Sequence, residues 1–70
     1  MARIDTVIGR RIRQRRLDLG LSPNELAAQI DISEETLTEI ENGEHRPEGS
    51  LLVEIALALS VTLTHLFEGE

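Results

Sequence analysis

Seventy residues, no cysteine, no lysine, one aromatic side chain (Phe67) and a formal net charge of −6 set the first bounds. The length suits a single domain over residues 1–70, able to bury only about 60% of its unfolded surface. Without cysteine there is neither a disulfide framework nor a thiolate-ligated zinc. His45 and His65 have no ligand or catalytic partners at motif spacing, so no metal, no cofactor and no enzymatic activity are expected.

In chain order the helix signals recur with short gaps between them. From Asp5 to Leu19, Ile8, Ile12 and Leu19 fall on one stripe at helical spacing, with Asp5 as N-cap and Gly20 just past the end. Ser22-Pro23-Asn24-Glu25 then predicts a helix start: Ser22 caps, Pro23 suits the first position and Glu25 completes a capping box. Leu26, Ala27 and Ile30 face inward on that helix, and Asp31, which tolerates left-handed backbone, ends it. Ser33 caps a third helix with Glu34 and Glu35 in its first turn, Leu37 and Ile40 inward, and Asn42-Gly43 as its stop.

Residues 43–49 read as a loop rich in turn formers. Ser50 is expected to open a fourth helix, Leu51 to Leu59, whose nearly all-round apolarity predicts a place at the centre of the core. Ser60-Val61-Thr62 breaks it, and Leu63, Leu66 and Phe67 form a short last helix. The apolar run from Leu51 to Leu66 is interrupted by Glu54, Ser60, Thr62 and Thr64, too polar for a bilayer span. The N-terminal residues lack the layout of a signal peptide, so the expected location is cytoplasmic, with no membrane partner. The fold class is therefore all-α, five short helices around one core.

The negative charge is unevenly spread. Residues 1–24 hold six arginines against two aspartates, a net of +4, and residues 25–70 hold only Arg46 against eleven acids, a net of −10. Such asymmetry marks a charged interaction surface.

Residues 22–42 form two helices joined by the tight turn Ile30-Asp31-Ile32, a helix-turn-helix. Around it stand Ile8-Gly9-Arg10-Arg11-Ile12-Arg13, Arg16, Leu19-Gly20-Leu21-Ser22 and Glu25-Leu26-Ala27. Further on come Ile32-Ser33, Thr36-Leu37, Ile40-Glu41-Asn42-Gly43, Pro47, Ile55-Ala56, Ala58-Leu59 and Leu66-Phe67. In this order and spacing the chain resembles the lambda-repressor/Cro-like helix-turn-helix (XRE) family, over residues 8 to 67. The resemblance implies a compact five-helix, lambda-repressor-like DNA-binding domain acting as a transcriptional regulator, commonly as a homodimer on double-stranded DNA.

It further implies that the helix at 33–42 enters the major groove. The base-facing residues would then be Ser33, Glu34, Glu35, Thr38 and Glu39, the last four set outward by the inward placement of Leu37 and Ile40. Phosphate-facing candidates are Arg10 and Arg13, which project away from the first stripe, Arg46 in the loop, and Ser22, Pro23 and Asn24 at a helix start. Asn42 and Gly43 would offer backbone N–H groups. In the family an arginine late in the first helix pairs with the acid of the Ile-Glu-Asn-Gly segment, here Arg16 with Glu41. At about 100° per residue both fall beside their apolar stripes, which fits a half-buried structural pair.

Two features depart from the family pattern: three glutamates stand on the outward face of the third helix, and Pro23 stands where glutamine is usual. A second function therefore stands beside DNA binding, in which the same fold presents an acidic face to a basic protein partner.

Overall fold

The computed structural model describes residues 4–67. They form α1 (Ile4–Asp18), α2 (Pro23–Gln29), α3 (Glu34–Glu41), α4 (Gly49–Leu59) and α5 (Leu63–Phe67), with no strand among the described residues. The long α1 packs against α3, α4 and α5, α2 packs on α3, and α4 on α5. Ile8 and Ile12 of α1 meet Leu26, Leu37, Ile40, Ile55, Leu59 and Leu66 in one apolar core. The five expected helices are all present.

The first four helices end in the same way. After α1, Gly20 adopts φ +73° and donates to the Leu17 carbonyl, while the Leu21 N–H reaches back to that of Arg16. This paired 6→1 and 5→2 pattern closes a helix and turns the chain inward. It recurs at Asp31 and Ile32 after α2, at Gly43 and Glu44 after α3, and at Ser60 and Val61 after α4. Glycine fills the left-handed position twice; Asp31 (φ 60°) fills it with a side chain that tolerates it, and Ser60 (φ 58°) with one that disfavours it.

Four expectations from the sequence are corrected. Leu19 leaves the stripe: it follows the last residue of α1, inside the turn at Gly20, and is 41% exposed, while Leu21 packs on the core. Asp5 is not an N-cap but lies inside α1, where its carboxylate serves another partner. Ser50 does not open α4, which starts at Gly49 after Glu48 with no side-chain cap bond. α4 is apolar nearly all round without being buried all round. Leu52, Ile55, Ala56 and Leu59 face in, whereas Val53 (43%) and Leu57 (74%), one turn apart, face out.

Gly9 sets how closely α1 crosses α3. A Cβ at this position would run into the Ile40 carbonyl oxygen and stand 2.6 Å from that of Glu41. Gly43 meets α1 from the other side, where a Cβ would stand 2.9 Å from Thr6 Oγ1. The end of α3 is therefore seated on the first half of α1.

Candidate nucleic-acid interface

α2 and α3 each begin with a serine cap. Ser22 Oγ accepts from the Glu25 N–H at 3.1 Å, and the Glu25 carboxylate accepts from the Ser22 N–H at 2.8 Å, a reciprocal capping box. That bond to the Ser22 backbone, with its hydroxyl, holds the Glu25 carboxyl below its ordinary range. Ser33 Oγ accepts from the Thr36 N–H at 3.0 Å and donates to Thr36 Oγ1 at 2.9 Å. Asp31 supplies the left-handed residue that reverses the chain between the two helices. The caps expected at Ser22 and Ser33 and the turn expected at Asp31 are present, and together they frame the helix-turn-helix.

α3 is held from behind by one guanidinium. Arg16 Nε donates to Glu41 Oε2 at 2.7 Å, Arg16 Nη2 to Glu41 Oε1 at 3.1 Å, and Arg16 Nη1 to the Leu21 carbonyl at 2.9 Å. Both side chains of the pair are 7% exposed. A planar fork matching a carboxylate suits a buried pair better than a single-point ammonium would. The pair that the family resemblance implied for Arg16 and Glu41 is present, and the bond to Leu21 adds the entry of α2 to the same clamp.

Of the residues expected to face bases, Ser33, Glu34, Glu35 and Thr38 are exposed. Glu39 is half-buried, a partial correction: it leans toward the side of α3 that packs. Glu34 and Thr38 are four residues apart, so together with Glu35 they make one patch on the outer face.

The expected phosphate-facing set changes more. Arg10 and Arg13 are exposed on α1, and Asn24 is exposed near the start of α2 with Pro23 half-buried beside it. Asn42 and Gly43, however, do not have backbone N–H groups to offer. They donate to the Thr38 and Ile40 carbonyls at 3.0 and 3.1 Å, because the turn that ends α3 needs them. The Ser22 N–H is likewise committed, to Glu25. Arg46 does not stand alone in its loop. Its Nε donates to Asp5 Oδ1 at 2.8 Å, which raises its pKa further while the side chain stays 69% exposed.

Two contacts had no clear signal in the sequence. Arg15 Nε donates to the Leu59 carbonyl at 2.9 Å, tying α1 to the end of α4 across 44 positions, and Asp5 meets Arg46 across 41. The glycine inside a helical pattern at position 9 did carry a hint of a packing constraint.

The order of the five helices, the serine caps and the clamp behind α3 agree with the pattern of one family. The chain belongs to the helix-turn-helix family HTH_3, which it matches over residues 12–66. Among the relatives is an uncharacterized transcriptional regulator in the ATPase CF(0) region of Rhodospirillum rubrum. It is 38% identical over 64 residues, covering 91% of this chain and 59% of the relative. The HTH-type transcriptional regulator SlrR of Bacillus subtilis is 40% identical over 65 residues, covering 91% of this chain and 43% of the relative. The chain thus spans about half the length of the curated relatives it matches.

Solved structures agree on the arrangement. The clp gene regulator ClgR from C. glutamicum superposes with a TM-score of 0.88 at 26% identity, over 94% of this chain and 86% of that one. The restriction-modification controller protein C.AhdI from Aeromonas hydrophila gives 0.84 at 25% identity, over 90% and 96%. No described helix is long and apolar enough to cross a membrane.

Proposed function

We propose that this chain is the sequence-specific DNA-binding module of a transcriptional regulator, with α3 laid in the major groove. Residues 1–70 act as one binding unit in the cytoplasm, without a catalytic role. The observation that carries this reading is the rigid seating of α3: Glu41 clamped by Arg16 behind, Ser33 capping in front, and an exposed Glu34/Glu35/Thr38 face between them. A helix fixed at both ends and free along one face is what groove insertion requires. The regulators among the relatives favour the same reading over a protein-docking role for the acidic face.

Phosphate contacts fall to Arg10, Arg13, Asn24 and the exposed side of Arg46. Anisotropy of a labelled duplex, titrated across a salt series, tests this. Affinity should fall with a log–log slope of about −0.9 per phosphate neutralised, and Arg10→Ala with Arg13→Ala should flatten it. No binding to genomic fragments at about 50 mM salt would reject the reading and leave the acidic protein-docking role in its place.

We further infer that the module works as a homodimer. Val53 and Leu57 on α4, with Leu63 and Phe67 on α5, expose apolar side chains that a second copy would cover. Sedimentation should show a dimer that Leu57→Glu dissociates; a monomer at high concentration would remove the claim.

A further inference from the structure

Along α3, polar groups are committed one after another to holding the helix, and what remains outward is narrow in its chemistry. The Ser33 hydroxyl is engaged with Thr36 as both acceptor and donor. The Glu41 carboxylate is taken by Arg16 at both oxygens. On α2, Pro23 carries no polar side-chain atom and the Glu25 carboxylate is bound to the Ser22 N–H. In the first half of α3 this leaves two exposed carboxylates, Glu34 and Glu35, and the Thr38 hydroxyl one turn along. No lysine, arginine, asparagine or glutamine stands within α3.

Base edges in the major groove differ in the hydrogen-bond partners they ask for. Guanine presents the acceptors N7 and O6, which a carboxylate repels. Adenine presents its N6 amine next to the acceptor N7, so the second carboxylate oxygen is repelled there. Cytosine presents the N4 amine with no acceptor beside it on the pyrimidine side, and glutamate accepts from it. On the DNA-binding reading above, on which this inference rests, we propose that Glu34 and Glu35 are specificity-determining residues. They select cytosine on the strand that the first turn of α3 approaches.

The same two charges set the background. On any sequence lacking cytosine in register they add uncompensated repulsion to a surface carrying one negative charge per ~1.7 Å of duplex. At the groove floor a register of N4 amines offsets it. The first-turn position lessens the cost, since the partial positive charge at the start of a helix favours acids there. The acidic face therefore lowers non-specific binding and sharpens discrimination rather than abolishing DNA recognition.

Selection of binding sites from a randomised duplex library, with the wild-type chain and with Glu34→Gln and Glu35→Gln, tests this. Glutamine pairs with adenine N6 and N7. The wild type should enrich C·G pairs in a fixed orientation, and each variant should convert one of them to A·T. The preference between matched sites should swing by about tenfold or more. Binding to random duplex should rise in both variants, and circular dichroism should confirm that both remain folded.

Wild-type sites without oriented C·G pairs, or variants enriching the wild-type sites, would overturn the cytosine assignment while leaving DNA binding intact. Enrichment of no sequence by any of the three proteins would overturn the DNA-binding reading itself and the assignment with it.

Discussion

Arg16 and Glu41 meet through two parallel hydrogen bonds, 2.7 and 3.1 Å, at a point where neither side chain has water to fall back on. The pair joins α1 to the last residue of α3, and the third bond of the guanidinium, to the Leu21 carbonyl, joins both to the entry of α2. Breaking one partner leaves a buried charge without its counterpart, typically a loss of about 3–5 kcal/mol. A domain of this size holds roughly that much stability in total. Glu41→Leu should therefore leave the chain largely unfolded at room temperature in urea titrations, while Arg16→Met with Glu41→Leu recovers part of the loss. Equal stability of the single and double variants would show that the charge pairing is not what matters.

Glycine at position 9 predicts the result of the smallest possible substitution. Gly9→Ala drives a methyl into the carbonyls of Ile40 and Glu41, both backbone and neither able to swing aside. Either α1 and α3 separate or the end of α3 shifts, costing about 1–3 kcal/mol. Thermal unfolding should show the loss. A Gly9→Ala protein as stable as the wild type would mean that the two helices are not held at this distance.

The left-handed residues predict gains instead. Ser60→Gly removes a side chain from φ 58° at the end of α4 and should stabilise by about 0.5–1 kcal/mol. Asp31→Gly at φ 60° should gain less, since aspartate visits this region more readily than serine. A lower melting temperature for Ser60→Gly would contradict the account of how the helices end.

The capping box of α2 has a pH signature. Glu25 is more acidic in the folded chain than its ordinary value of 4.5, chiefly through the Ser22 N–H. The unfolded chain therefore binds this proton more readily, so the contribution is complete above about pH 4.5 and fades as pH falls through the lower folded value. Glu25→Gln should melt with a shallower fall on acidification over that interval. Parallel curves for the two proteins would separate Glu25 from the acid sensitivity.

Much of this arrangement was legible because its causes are local. Ser22, Pro23 and Glu25 declare a helix start within four residues, and Asp31 and Gly43 declare helix ends. The Arg16–Glu41 clamp was reached across 25 positions because family resemblance and angular placement agreed. Where only long-range packing decides, the sequence was silent: nothing near Arg15 points to the Leu59 carbonyl, and nothing near Asp5 points to Arg46. Leu19 and Leu57 misled for a related reason. Their apolarity matched a helical stripe, but a chain reversal at Gly20 displaced the first, and the second lies on the side of α4 that no described helix covers. At the candidate site, exposure of Glu34, Glu35 and Thr38 was readable from periodicity. The loss of backbone donors at Asn42 and Gly43 was not, because it depends on how the turn closes.

The central claim is that the outer face of α3 meets DNA. Backbone amide chemical shifts of the labelled protein, followed by nuclear magnetic resonance as a selected duplex is added, test it most directly. Changes should concentrate at Ser22, Asn24 and residues 33–39, with α4 and α5 responding weakly. Saturable changes centred on α4 and α5, with α3 unmoved, would contradict the account.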